Sequence, residues 1–142
     1  METLFTIDTL RHQELIDITY QVEDIIHKTG VKEGFCIVYI PHATAGIILN
    51  ESADPNIKTD FLNAINKAIP EHANYLHDHI DNNAAAHIKS ALCGSSATIP
   101  ISNGKLELGT WQAIMLCEFD GPRTRKIIVQ VYQSPINISN NQ

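Results

Sequence analysis

Apolar and polar residues alternate in several short runs, which is the pattern of strands with one buried face. This alternation predicts strands at residues 4–7 and 15–19 on either side of a polar turn, and again at residues 46–49, 112–119 and 126–132. The run FCIVYI, residues 35–40, has no polar position at all. Such a run predicts a strand buried on both faces.

Helical spacing of apolar residues predicts three helices. The first follows Thr19 as N-cap and ends at Gly30, where a left-handed residue is typical. The second begins at Asp54 and Pro55, an N-cap before the proline favoured at the first helical position. It is expected to turn its apolar residues inward, namely Ile57, Phe61, Leu62 and Ile65. The third covers residues 83–92 and is closed by Gly94.

The segment SATIPISNGKLELGTWQAI, residues 96–114, combines a hairpin with unusual residue choices. Asn103 and Gly104 give the turn signal between two alternating runs. Gly109 then interrupts the second run, which indicates a bulge or a close backbone approach. Two residues later comes Trp111, the single tryptophan of the chain. A functional site and a bulged hairpin with a packed indole are equally compatible with this segment.

The order of these elements predicts an α+β fold, with a mainly antiparallel, sandwich-like sheet and about three helices. Strands outnumber helices, the connections are hairpin-like, and no regular βαβ alternation is present. The length of 142 residues and a hydrophobic content of 44% fit a single domain spanning residues 1–142. The tail SPINISNNQ, residues 134–142, is expected to be loosely held.

Charge and cysteine content narrow the class of protein. A formal net charge of −6, with only three arginines, argues against a nucleic-acid partner. Cys36, Cys93 and Cys117 are widely spaced in apolar runs, which indicates reduced buried thiols. The amino terminus is charged where a signal peptide is apolar, and no run is long enough to span a membrane. We therefore expect a cytoplasmic protein without a membrane partner.

Three histidines are candidates for a metal site: His42 after the apolar strand, His77 in a polar loop, and His87 on the third helix. Three neutral imidazoles suit a zinc-like ion and leave a coordination position open for water or substrate. Their spacing matches no short metal motif, so ordinary polar or core histidines are the alternative. Asn83 lies one helical turn from His87 and either contacts substrate or caps the helix.

Two further clusters carry charge. Glu51 follows an apolar strand and is the better candidate for a catalytic base, because Asp54 before Pro55 fits a capping role. Arg123 and Arg125 are two positions apart, so on a strand they share one face and form a grip for phosphate or carboxylate. The alternative for both arginines is a solvated strand edge with ion pairs to Glu118 or Asp120.

The chain resembles the YjbQ family, whose members are often named secondary thiamine-phosphate synthase. The family signature runs from a serine through a short apolar strand and a glycine turn to Gly-Thr-Trp-Gln, matched by Ser96, Ile99, Ile101, Gly104, Gly109, Thr110, Trp111, Gln112 and Ile114. Its other markers follow in order at Pro41, His42, Thr44, Asn50, Glu51, Asp54, Pro55, Asp60, His77, Asn83, Ala86, His87, Gly94, Asp120, Gly121, Pro122, Arg123 and Arg125. The resemblance covers roughly residues 6–131 and departs at Gln133, where many members have glycine.

The resemblance implies a homotrimer with a site formed by His42, His77 and His87. It also implies a synthase activity, regarded as secondary, that joins hydroxymethylpyrimidine diphosphate to thiazole phosphate and releases pyrophosphate. Imidazole ligands favour Zn, Mn or Ni over Mg as the divalent metal. In this interpretation Trp111 is a packing residue, and the catalytic candidates are Glu51 and Asn83. The candidate contacts to the small phosphorylated substrate are Thr44, Gln112, Arg123 and Arg125.

Two other functions remain open from the sequence. Three imidazoles near Glu51 also suit a metal-dependent hydrolase of a small phosphorylated substrate. A non-catalytic trimeric module that binds a small anion is the third possibility.

Overall fold

Eight strands form two antiparallel sheets in the computed structural model, which describes residues 1–135. The outer sheet has the order β1-β8-β3-β5-β6 and the inner sheet the order β2-β7-β4. The strands are β1 (Glu2–Asp8), β2 (Glu14–Asp17), β3 (Gly34–Tyr39), β4 (Ala45–Glu51), β5 (Ser96–Ser102), β6 (Lys105–Leu106), β7 (Gln112–Glu118) and β8 (Thr124–Gln133).

The described chain also forms three α-helices and one short 3₁₀ helix. These are α1 (Thr19–Thr29), α2 (Asn56–Ala68), α3 (Ala84–Cys93) and the 3₁₀ helix Leu76–His79. The prediction of an α+β fold with antiparallel sheets and about three helices is confirmed. The prediction for the tail falls largely on residues 136–142, which lie outside the described residues. In residues 1–135 no helix has the length and apolar character needed to cross a membrane.

The main core lies between the two sheets and is closed at one side by α1. Sheet residues on the inward faces meet here, among them Val38, Ile47, Leu116 and Val129. The strand buried on both faces is β7, because the outer sheet covers one side of it and α2 and α3 cover the other.

The prediction that residues 35–40 are buried on both faces is wrong. Cys36, Val38 and Ile40 are fully buried, but Phe35 and Tyr39 point outward and are each 40% exposed. The strand belongs to the outer sheet, whose far face is open to solvent in the single chain. An apolar run therefore marked a strand correctly without revealing how many of its faces are covered.

A second core lies behind the inner sheet, where α2 and α3 pack. The apolar side of α2 faces it, as predicted, but Phe61, Leu62 and Ile65 are only partly buried. Asp54 is not the N-cap of α2, because that position is Pro55 and the helix begins at Asn56; the Asp54 Oδ1 accepts from the Asn56 amide at 2.9 Å from just before the cap. Thr19 is not the N-cap of α1: that position is Ile18, and the Thr19 hydroxyl instead accepts from the Ile114 amide at 2.9 Å.

The segment with the family signature forms the predicted hairpin. Asn103 and Gly104 both have positive φ, 53° and 76°, as a tight turn between antiparallel strands requires. Gly109 lies in the loop between β6 and β7 and not in a strand, so it is no bulge. Trp111 does not pack: its side chain is 64% exposed, which overturns the expected packed indole.

Candidate functional site

One end of the molecule gathers most of the polar residues singled out from the sequence. The loop after β3, the start of α3 and the turn between β7 and β8 surround a cleft of about 590 Å³. We call it the histidine cleft; it is lined by His42, Ala43, Thr44, Asp81, Asn83, His87, Asp120, Arg123, Thr124 and Arg125. The described structure thus brings His42 together with Asn83 and His87, which lie one helical turn apart at the start of α3.

His42 is held at the cleft by the outer sheet. Its Nε2 accepts the backbone N–H of Lys126, the third residue of β8, at 2.8 Å. Burial lowers the pKa of His42 below its ordinary value, and the nearby positive charge of Arg125 lowers it further. The imidazole is therefore neutral at neutral pH, with Nε2 engaged as an acceptor and Nδ1 as the other ring nitrogen.

His77 and His87 meet edge to face. Their ring centroids are 4.8 Å apart at an interplanar angle of 81°, with His77 on the 3₁₀ helix and His87 on α3. The Nε2 atom of His77 is buried and has no hydrogen-bond partner; the nearest carboxylate, Asp81, is 3.7 Å away. A buried ring nitrogen without a partner is costly, so this atom calls for a ligand or a proton partner.

Asn83, Asp120 and Arg123 form a connected polar wall. The Asn83 amide donates to Asp120 Oδ2 at 2.8 Å, and Arg123 Nη2 donates to the same oxygen at 2.9 Å. Burial opposes the charge of Asp120, but these hydrogen bonds hold its pKa below the ordinary value. The side-chain oxygen of Asn83 is buried and has no partner. The wall therefore presents the charged donor Arg123 beside an acceptor, Asn83 Oδ1, that receives no hydrogen bond.

Arg125 has a different role from the one expected. Its side chain is 3% exposed and binds Glu118 through two nitrogens, with Nε donating to Oε1 at 2.9 Å. Nη2 also donates to the Thr44 hydroxyl at 2.8 Å. Burial alone would raise the pKa of Glu118, but hydrogen bonds from Arg125, the Asp120 backbone and Thr9 lower it below the ordinary value.

The two-guanidinium grip is consequently not formed. Arg123 precedes β8, which begins at Thr124, so the alternation of strand side chains does not apply to it. Arg123 follows the turn towards Asp120, while Arg125 points into the protein towards Glu118. These are the two ion-pair partners of the alternative interpretation, although only Arg123 is solvated.

Glu51 and Gln112 lie at the opposite end of the inner sheet. They face each other as the last pair of the β4–β7 ladder, and β4 is seven residues long, so roughly 20 Å separates them from Ala45. The Gln112 side chain accepts the Gly109 amide at 2.7 Å, and the Glu51 amide donates to Asn50 at 2.7 Å. Neither side chain reaches the histidine cleft of its own chain.

The expected metal ligands are gathered only in part. His42 and His87 line one cleft and His77 touches His87, and imidazole nitrogens are the right kind of donor. Across residues 1–135, however, no three His, Cys, Asp or Glu side chains stand in an arrangement that could hold a metal ion.

Sequence reasoning missed the structural importance of Glu118 and Asp120, which it treated only as ion-pair partners for surface arginines. Glu118 is fully buried in the last position of β7, and its signal in the sequence was a charged residue ending an apolar run. Asp120 organises both Asn83 and Arg123 from the turn that follows.

Comparisons with known proteins agree with this fold. The sequence profile of the family described as UPF0047 protein YjbQ-like matches residues 3–134. The UPF0047 protein YugU of Bacillus subtilis is 46% identical over 126 residues, which cover 88% of this chain and 94% of that protein. A UPF0047 protein of Methanocaldococcus jannaschii is also 46% identical, over 89% of this chain and 91% of its own.

Solved structures show the same architecture. A YbjQ-like protein of unknown function from Sulfolobus solfataricus superposes with a TM-score of 0.91 at 38% identity, covering 94% of this chain and 97% of that one. A YjbQ/UPF0047 protein from Clostridium acetobutylicum gives 0.88 at 44% identity, over 92% and 99% of the two chains. The chain belongs to the YjbQ-like UPF0047 family.

Proposed function

We propose that the histidine cleft is an active site for a small phosphorylated substrate and that it works with a divalent metal ion. The observation that carries the proposal is a pair of buried polar atoms without a hydrogen-bond partner: Asn83 Oδ1, in a residue that lines the cleft, and His77 Nε2, in a ring that contacts the lining residue His87. Both belong to residues next to Arg123 or His87, and unsatisfied groups of this kind are typical of sites that await a ligand.

Arg123 is the proposed phosphate contact. Its guanidinium donates to Asp120 through Nε and Nη2, which leaves three of its five N–H groups for a ligand. Its side chain is half exposed and borders the cleft. Arg125 holds the cleft wall through Thr44 and Glu118 and is not a phosphate contact in this proposal.

His42, His77 and His87 are the proposed metal ligands. The lowered pKa of His42 supports the proposal, because a ligand must be neutral, and the unpartnered His77 Nε2 is available without breaking a hydrogen bond. Metal binding would require the three rings to reorient, because no three ligand side chains among the described residues are arranged to hold an ion. Nitrogen donors favour Zn, Mn or Ni over Mg, and such an ion would polarise a phosphate oxygen when bound.

Thiamine-phosphate synthesis is the reaction we propose for this cleft, as a side activity. Release of pyrophosphate from hydroxymethylpyrimidine diphosphate demands stabilisation of the negative charge on the leaving group more than a strong base. Arg123 supplies a positive charge there, and Asn83 is placed to orient the substrate through its unused oxygen. Glu51 and Gln112 have no role in this single-chain site.

Hydrolysis of a small phosphorylated compound is the second candidate. It is favoured by the neutral His42 at the cleft, since an imidazole-ligated ion activates water more readily than it handles pyrophosphate.

A homotrimer is proposed for the assembled protein, with the outer sheet as the subunit contact. Leu4 is 47% exposed on its open face, and Phe35, Tyr39 and Tyr132 are each 40% exposed. The Phe35 and Tyr132 rings stack with centroids 5.0 Å apart. Contiguous apolar surface of this kind is typical of a protein interface.

Metal analysis of purified protein tests the proposal, combined with assays of the His87→Ala variant. Wild type should carry close to one metal ion per chain and form thiamine phosphate from the two phosphorylated precursors. His87→Ala should lose both properties while light scattering still reports a trimer of 15.8 kDa chains. His27→Ala is the matched control, because His27 is an exposed histidine of helix α1.

Retention of metal and turnover by His87→Ala would show that the metal-centred proposal is wrong. Metal-dependent release of phosphate without any thiamine phosphate would favour the hydrolase. Anion binding by a wild-type protein that holds no metal and turns over neither reaction would favour the non-catalytic module.

A further inference from the structure

We propose that the site has a second compartment, anchored by Ser90, that holds an uncharged ring of the substrate. A pocket of about 300 Å³ adjoins the histidine cleft and shares His42, Ala43 and His87 with it. We call it the side pocket. Where it extends beyond those shared residues it is lined by Ala45, Ser90, Ala91, Gly94 and Ser95.

The two compartments differ in charge. The histidine cleft has Asp81, Asp120, Arg123 and Arg125 in its lining. The lining of the side pocket contains no Asp, Glu, Lys or Arg. A ligand spanning both would therefore place its charged group in the cleft and a neutral group in the side pocket, since an unpaired charge is expensive to bury.

Ser90 is the polar anchor. The residue is only 6% exposed, and its hydroxyl is buried without a hydrogen-bond partner. Serine within a helix commonly donates to the carbonyl four residues earlier, which is not the case here. Ser90 follows His87 by three residues on α3, so the two side chains lie on the same face of the helix. The hydroxyl is thus held at the wall of the side pocket, able to donate to or accept from a ligand.

Small residues leave room beside that hydroxyl. The volume of the side pocket lies at the lower end of ligand pockets, about 300 to 1,000 Å³, which suits one ring and not an extended molecule. The floor is rigid, because a Cβ on Gly46 would come within 2.9 Å of the Gly94 carbonyl oxygen, and Ile47 donates to that oxygen at 3.0 Å. The end of α3 is therefore packed directly on β4.

The substrate class that follows is a phosphorylated compound with a neutral, ring-sized group that has at least one hydrogen-bonding atom. The phosphate part of this inference rests on the proposed function. The ring part rests on Ser90 and the side pocket alone.

Calorimetric titration of three probes separates these two parts. The probes are inorganic pyrophosphate, hydroxymethylpyrimidine diphosphate and the unphosphorylated hydroxymethylpyrimidine, and hydroxyethylthiazole serves as a second neutral ring. Ser90→Ala should weaken the diphosphate about fivefold, the effect of one neutral hydrogen bond, and leave inorganic pyrophosphate unchanged. Arg123→Ala should weaken inorganic pyrophosphate and leave the neutral rings unchanged.

Two further variants distinguish a loss of ligand contact in Ser90→Ala from a change in the folded structure. Ala91→Leu places a larger side chain at an exposed helical position on the pocket rim, so it should fold and weaken the diphosphate on the order of tenfold. Ser102→Ala lies in the distant hairpin strand and should change nothing. Ser90→Ala should also raise the thermal midpoint, because it removes an unpaired buried hydroxyl and alanine favours the helix.

The outcomes of these titrations distinguish the phosphate part of the inference from the ring part. A wild type that binds a neutral ring, with binding weakened in Ser90→Ala and Ala91→Leu, supports the side pocket even where pyrophosphate does not bind and the proposed function fails. Equal affinity of wild type, Ser90→Ala and Ala91→Leu for the diphosphate overturns it. Failure of the wild type to bind either neutral ring or the diphosphate also overturns it.

Discussion

The two ends of the β4–β7 ladder differ in how completely their polar groups are paired. At the end with Glu51 and Gln112, two side chains bond to neighbouring backbone, since Gln112 accepts from Gly109 and Asn50 accepts from the Glu51 amide, and no side-chain atom described there is buried without a partner. At the end with the histidine cleft, ordered partners surround Glu118 and Asp120, yet buried atoms of His77 and Asn83 have none.

This difference supports placing the proposed site at the histidine cleft. At the first end, both the side chain and the backbone amide of Gln112 pair with Gly109, so backbone geometry accounts for these two residues of the family signature. At the other end, a buried ion pair fixes the walls and the unpaired atoms remain inside them. A rigid frame around unsatisfied groups is the arrangement expected for a preorganised binding site.

Breaking the buried ion pair between Arg125 and Glu118 should destabilise the walls of the histidine cleft. Arg125→Met leaves the fully buried Glu118 without its cation, so we expect a loss of about 3 to 5 kcal/mol in the free energy of unfolding. Urea denaturation followed by circular dichroism measures it. Arg123→Met breaks an ion pair that is half exposed and should cost at most about 1 kcal/mol.

The double variant Arg125→Met, Glu118→Gln keeps this test interpretable. It removes both charges and should recover part of the loss, because no unpaired charge stays buried. Equal stability of Arg125→Met and Arg123→Met would mean that the Arg125–Glu118 pair does not support the cleft.

As the pH is lowered, the stability contributed by His42 should be lost before the stability contributed by Glu118 and Asp120. Because the folded-state pKa of His42 lies below 6.5, the unfolded chain takes up a proton before the folded one does. Stability from neutral His42 is therefore present above pH 6.5 and declines as the pH falls from there towards the folded-state pKa. The pKa values of Glu118 and Asp120 are lowered from 4.5 and 3.8, so their contributions are lost only at still lower pH.

His42→Gln isolates this effect. Between pH 6.5 and 5 its unfolding free energy should fall less steeply than that of the wild type, while the exposed-histidine control His27→Gln follows the wild type. Parallel curves for His42→Gln and wild type would contradict the assigned pKa shift.

Much of the fold could be predicted from the sequence, since period-two and helical spacing are set by which face each element buries. The strand at residues 35–40 shows the limit. Its outward Phe35 and Tyr39 are as apolar as its core residues, and composition does not say whether another surface covers them. Trp111 is a second case in which the sequence did not reveal burial. Its large apolar side chain was expected to pack, and it is exposed.

The residues of the candidate site could be singled out from the sequence, but their arrangement could not. His42 meets Asn83 and His87 because the loop after β3 and the start of α3 fold to one end, which spacing alone does not encode. The arginine pair was misjudged because strand alternation was extended across the boundary of β8 to Arg123. Ser90 gave no signal, since a serine in a helix is ordinary until its hydroxyl is found buried without a partner.

The smallest effect is expected at the signature end. Glu51→Gln and Gln112→Ala should each change the free energy of unfolding by no more than about 1 kcal/mol. The hydrogen bond of the Gln112 side chain is exposed and local, and the hydrogen bond of Glu51 is made by its backbone amide, which the substitution keeps. Turnover and metal content should match the wild type, since both residues lie far from the histidine cleft of their own chain. A folded Glu51→Gln variant with strongly reduced turnover would reverse this expectation. Because the same chain cannot bring Glu51 to the cleft, such a loss would require a neighbouring subunit to do so, and mixed trimers of Glu51→Gln and His87→Ala chains would then regain activity.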